Sequence, residues 1–156
     1  MILLAVDPGS EFSAYVVLDS GVIVAKAKVP NHKLLGALGY ELLPDRMAIE
    51  MIASYGMPVG ADIFETCFWI GRFWERALGW PIDCERVYRK DVKMFLCGST
   101  KANDSNITTA IVDIYDPHRR FGKHGKGTKK NPGPLFGFAK DMWAAMAVGL
   151  YATRDD

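Results

Sequence analysis

Residues Ile2–Val6 form an unbroken apolar run that stops at Asp7-Pro8-Gly9. A strand with no polar face must be covered on both sides, so this run predicts the buried central strand of a sheet. Two β-rich runs follow at Ala14–Leu18 and Val22–Lys28, divided by the turn residues Asp19-Ser20-Gly21. Three strands joined this tightly predict an antiparallel meander. Asn31 is placed to cap a helical stretch to about Leu43, closed by Pro44-Asp45. Met47–Ile52 is another short apolar run with one charge, Glu50.

A longer helix is expected from about Ala61 to Leu78, with Ile63, Cys67, Ile70, Gly71, Trp74 and Leu78 on one face and Gly79-Trp80-Pro81 as its stop. Cys84–Tyr88 reads as a strand, and Asp91–Leu96 and Asp104–Tyr115 read as helices, the second capped by Asn103 or Asp104. Residues 117–136, rich in Pro, Gly and Lys, predict a flexible loop. Asp141–Thr153 closes the chain as an Ala- and Met-rich helix. The order βββ-α-β-α-β-α-α-α predicts an α/β layer sandwich, and 156 residues suit one domain.

Cys67, Cys84 and Cys97 form no Cys-x-x-Cys pair, which fits a reduced compartment. No window approaches the roughly 18 apolar residues of a membrane span, and the apolar N-terminus is too short for a signal peptide. A cytoplasmic protein, in a bacterium or a phage-infected cell, is the expectation.

Three acids stand in apolar surroundings: Asp7 after the first strand, Glu50 inside Met47–Ile52, and Asp141 opening the last helix. A carboxylate buried in such a run costs several kcal/mol without a cation or hydrogen bonds to compensate it. Converging at one end of a sheet, the three would make an all-oxygen site for a hard divalent ion, Mg²⁺ or Mn²⁺. Phosphoryl transfer is the chemistry such sites commonly perform. Two of the acids also have a plainer role open to them: Asp7 as a turn former, Asp141 as a helix cap. Glu50 has none, since a short apolar strand has no use for a carboxylate.

Leu3-Leu4-Ala5-Val6-Asp7-Pro8-Gly9-Ser10, followed by Ala14-Tyr15 and a second strand, resembles the first hairpin of the RuvC family of Holliday-junction resolvases. Ala48-Ile49-Glu50 resembles that family's second acidic strand. Arg89-Lys90-Asp91-Val92-Lys93 and Lys101-Ala102-Asn103-Asp104 are similar to its basic helix and loop, and Lys140–Val148 to its C-terminal acidic helix. The resemblance implies a single RNase H-like nuclease domain over residues 1–156, a five-stranded mixed sheet flanked by helices. It also implies a homodimer that resolves Holliday junctions or branched DNA by paired metal-dependent nicks leaving 5′-phosphates. Asp7, Glu50 and Asp141 would be both the catalytic and the metal-binding residues. The family usually carries a further Asp or His one turn before the last acid. Phe138 stands at that place here, leaving three carboxylates or a substitute such as Glu11.

The net charge of +1 argues against a nucleic-acid partner only as an average. Between Arg86 and Lys140, twelve Lys and Arg face four Asp, a segment of +8, while the rest of the chain is −7. Arg89, Lys90, Lys93 and Lys101, with Arg119, Arg120, Lys123 and Lys126 of the loop, are therefore candidate phosphate contacts. Tyr55, just past Glu50, is a candidate to stack on an unpaired base. Helix 61–78 carries Phe64, Phe68, Trp69 and Phe73 off its first apolar face, so a homodimer contact is expected there. Gly122–Thr128 is no phosphate-binding P-loop, because Arg120 stands where its first glycine belongs. Two other functions fit the same residues: an RNase H-like nuclease on another DNA or RNA, and a junction-binding protein with weak catalysis.

Overall fold

The computed structural model describes residues 1–156. Its elements are β1 (Ile2–Asp7), β2 (Phe12–Asp19), β3 (Val22–Pro30), α1 (Asn31–Ala37), β4 (Arg46–Met51), α2 (Ala61–Leu78), β5 (Asp83–Tyr88), α3 (Arg89–Cys97), α4 (Asp104–Tyr115) and α5 (Met142–Ala152). One sheet runs in the order β3-β2-β1-β4-β5. The β1–β2–β3 meander is antiparallel, and β4 and β5 add parallel to β1. The element order is the one read from the sequence, and the mixed five-stranded sheet is the one the resemblance implies.

Leu3, Leu4, Ala5 and Val6 are all buried, so β1 is covered on both faces as its composition requires. Leu3 and Ala5 face a core shared with α3, α4 and α5, whereas Leu4 and Val6 face a second core under α1 and α2. Helix α5 is apolar all round because the sheet covers one side and α3 and α4 the other. Burying a residue such as Met146 or Val148 there contributes about 1.5–3 kcal/mol. At Gly149 the helix rests almost directly on the sheet: an added Cβ would lie 3.0 Å from Leu18 Cδ1 and 3.1 Å from Ala5 Cβ.

Three local expectations need correction. Helix α1 ends at Ala37, not near Leu43, and Asn31 does not cap it. The Asn31 side chain is buried and turned to Ser13 and Gly9, accepting from the Ser13 hydroxyl and donating to the Gly9 carbonyl. Helix α2 has the expected ends, but its buried stripe is Thr66, Ile70, Phe73 and Ala77; Gly71 and Leu78 lie outward. Phe73 packs with Ile70 and Ala77 into the core under α1 and α2, and Thr66 satisfies its hydroxyl on the Asp62 carbonyl at 2.7 Å.

Residues 117–136 hold no helix or strand, yet they are tied down where composition suggests a flexible loop. The buried Asp116 carboxylate accepts the Arg120 and Phe121 amides at 2.9 and 3.0 Å. Leu135 and Phe138 anchor the far end in the core. Between them the Gly133 amide donates to the Lys126 carbonyl at 2.8 Å. No helix is long and apolar enough to cross a membrane.

Candidate active site

The strands β1, β4 and β5 run parallel, so their C-terminal ends lie together, the place where open α/β sheets present their sites. In the β1–β4 register Val6 stands beside Ile49, which sets Asp7 beside Glu50 at this end. Both side chains lie on the face covered by α5, the face of Ala5 and Ala48. Asp141 arrives from the start of α5. Together they line one cavity of about 200 Å³ with Arg89, Asp104, Lys140 and Trp143, floored by Val92, Ile107, Thr108, Ala144 and Ala147. The three acids singled out from the sequence thus share one pocket.

The turn after Asp7 is fastened by a small buried network. The Ser13 hydroxyl donates to Asn31 Oδ1 at 2.6 Å, and Asn31 Nδ2 donates to the Gly9 carbonyl at 2.8 Å. Gly9 must be glycine, because a Cβ would meet the Phe12 carbonyl oxygen at 2.3 Å. The Asp7 carboxylate itself accepts no hydrogen bond, so it does not act as a turn former. Burial first, then the carboxylates of Glu50 and Asp141, push it from an ordinary 3.8 up to about 7. Burial also raises Glu50, opposed by the guanidinium of Arg89, whose Nη1 lies 3.5 Å from Glu50 Oε1. Asp141 stands at the cap position of α5 but makes no cap bond; it pairs instead with Lys28 Nζ.

No three of the His, Cys, Asp and Glu side chains form a ready-made metal cage, and cations pair with the outer two acids. The donor set still fits a hard divalent ion. Every ligand is a carboxylate oxygen, and the central Asp7 is buried between two like charges with no cation of its own.

Arg89 belongs to the acidic pocket and also to a neighbouring hollow with Tyr55, Lys90, Lys93 and Thr100. Tyr55 is exposed there. Lys101 lies apart, in a shallow groove between α3 and α4 with Asn106 and Asp113. Lys126 reaches over the Trp143 ring, 5.8 Å from its centre, which brings the loop to the cavity wall. Arg120 and Lys123 are exposed, whereas Arg119 is committed to the Asp113 carboxylate and the Asp116 carbonyl.

Neither Phe138 nor Glu11 supplies the cavity with a fourth ligand. Phe138 is buried against Trp143, ring centres 5.1 Å apart, and does not line the cavity. One turn after Asp141, at the position that does line it, stands Ala144. Glu11 is exposed and outside the pocket. The fourth carboxylate present is Asp104, which pairs with Arg89 across the cavity mouth. Sequence reasoning missed it because an acid in the first turn of a helix looks like ordinary dipole compensation. It missed Lys28 because a lysine on an edge strand looks like solvent-facing protection.

The strand order, the helices on both faces and the acids at the ends of the two central parallel strands define an RNase H-like fold of the RuvC-resolvase type. Solved structures agree. The Thermus thermophilus RuvC structure superimposes with a TM-score of 0.67 at 15% identity, over 98% of this chain and 93% of that one. T. thermophilus RuvC in complex with a Holliday junction substrate gives 0.70 at the same identity and coverage. The fowlpox virus Holliday junction resolvase gives 0.58 at 14% identity, over the full length of both chains. No protein-family model and no curated protein matches the chain.

Proposed function

We propose that the chain is a divalent-metal-dependent endonuclease that resolves four-way or branched DNA by paired hydrolytic nicks. The observation that carries this is the meeting of Asp7, Glu50 and Asp141 in one cavity with basic residues on either side. The fold shared with the two Holliday junction resolvases supports it.

Asp7, Glu50 and Asp141 would hold Mg²⁺ or Mn²⁺. A divalent ion bound there supplies charge neutralisation at the scissile phosphate and a lowered pKa for the attacking water. Asp7 is ionised only above its raised pKa, so ion binding and cleavage weaken as pH falls through about 7. Lys90 and Lys93 would fix one stretch of backbone beside Tyr55, and Lys126, Lys123 and Arg120 the other. Trp143 walls the cavity and limits water within it. Arg89, touching both hollows, is positioned to pass from Glu50 to a phosphate.

The test is cleavage of a labelled mobile four-way junction under Mg²⁺ or Mn²⁺ titration. Symmetric paired nicks are expected on the junction and none on linear duplex. Binding in Ca²⁺ should fall steeply with added salt, since phosphate contacts release counterions. Equal cutting of flaps or RNA points to the wider RNase H-like activity. The hold of Lys28 and Arg89 on two of the acids favours a second reading, junction binding with weak catalysis. A bound junction that stays uncut after a Mn²⁺ chase would favour it.

Paired nicks need two sites, and the same proposal assigns a homodimer to α2. Phe64 and Phe68 are exposed on it, and the Arg72 guanidinium lies 4.2 Å from the Trp69 ring centre beside them. Phe68→Asp should convert the dimer to monomers in sedimentation velocity while leaving the monomer's melting temperature within a few degrees. An unchanged sedimentation coefficient would remove α2 from the interface.

A further inference from the structure

Lys28 is held in the acidic site by the sheet itself. The β1–β2 register pairs Asp7 with Ala14, and the β2–β3 register pairs Ala14 with Lys28. Asp7, Ala14 and Lys28 therefore form one row across the α5-facing side, continued on the other flank by Glu50. Ala14 is buried and has only a methyl group, so nothing stands between the lysine and the pocket. Lys28 Nζ ends on Asp141 Oδ2. On α5, the cavity-lining positions after Asp141 are Ala144 and Ala147, which offer no further carboxylate.

We propose that Lys28 is a built-in cation that takes the place of one divalent ion, so that the site binds a single metal ion, on Asp7 and Glu50. This rests on the metal-site assignment above and narrows its ligands to Asp7 and Glu50, with Asp141 answered by the lysine. Two-ion sites seat their metals about 3.5–4 Å apart around a shared carboxylate, the place of the central Asp7 here, and Asp141, the acid left for a second ion, is engaged by an ammonium group.

The test counts Mn²⁺ bound per chain, without DNA, from the electron paramagnetic resonance signal of the free ion. Lys28 lies on edge strand β3 with about a third of its side chain exposed, so substitution there is compatible with folding. One ion is expected for the wild type, two for Lys28→Met, and one again for Lys28→Arg, which keeps the charge. Two ions in the wild type, or one in Lys28→Met, would overturn the role of Lys28 and leave the metal site standing. No bound Mn²⁺ in any of the three would overturn the metal site and this proposal together.

Discussion

Asp7→Asn is expected to abolish junction cleavage, keep junction binding, and make the metal-free protein more stable. The loss of rate should reach at least about 10²–10³-fold, the scale of removing one preorganised electrostatic group from such a site. The gain in stability follows from linkage. With its pKa raised from 3.8 to about 7, folded Asp7 holds a proton that the unfolded chain releases between those values. Native stability therefore falls as pH rises from about 4 to 7 and stays lower above that. Asparagine keeps the shape without the charge and removes this cost, up to about 4 kcal/mol at pH 8 for a shift from 3.8 to about 7. Added Mg²⁺ should raise the melting temperature of the wild type and leave that of Asp7→Asn unchanged, because a ligand stabilises only the state that binds it. Denaturant unfolding at pH 5 and pH 8, with and without Mg²⁺, checks each part. A variant that cleaves normally in Mg²⁺ would show that Asp7 is not catalytic.

Gly149→Val is the second large effect, and it acts at a distance. Helix α5 carries Asp141 at its start and the cavity-lining Ala144 and Ala147, while Gly149 sets how closely it lies on β1 and β2. A Cβ alone would meet Leu18 and Ala5 at 3.0 and 3.1 Å, and the valine methyls would enter space that is already filled. Overpacking of this kind costs about 1–3 kcal/mol. Gly149→Ala should be nearly neutral, because the gain in helix propensity of about 1 kcal/mol offsets a displacement of a few tenths of an ångström. The valine variant should also lose cleavage beyond what its stability explains, since lifting α5 moves Asp141 away from Asp7. Chemical denaturation and junction cleavage at a temperature where both variants are folded separate the two effects. Wild-type stability for Gly149→Val would mean that α5 does not rest on the sheet at this point.

The order and type of the elements were legible in the sequence because each rests on local chemistry. An apolar run that ends in Asp-Pro-Gly, an Asp-Ser-Gly turn and a cap at Asn103 or Asp104, which the structure resolves as Asn103 boxed with Asn106, leave few alternatives. The boundaries of α2 were equally legible, since Gly60 and Gly79 bracket it. Its inward face was not, because with apolar residues on every side the periodicity does not choose a direction. Asn31 shows the same limit. As a helix-start residue it reads as a cap, and only the approach of β2 turns its amide to Ser13 and Gly9.

What the sequence determined by itself was the order of strands and helices, the three isolated carboxylates and the segregation of charge, all properties of residue type and spacing along one chain. What tertiary structure decided was which groups answer those charges. Lys28, Arg89, Asp104 and Ala144 come from four different elements and reach the pocket only through strand register and helix docking. The physical reason is that a buried carboxylate's state depends on the charges within a few ångströms of it. Those neighbours are set by contacts between residues as far apart as Lys28 and Asp141, which no local pattern records.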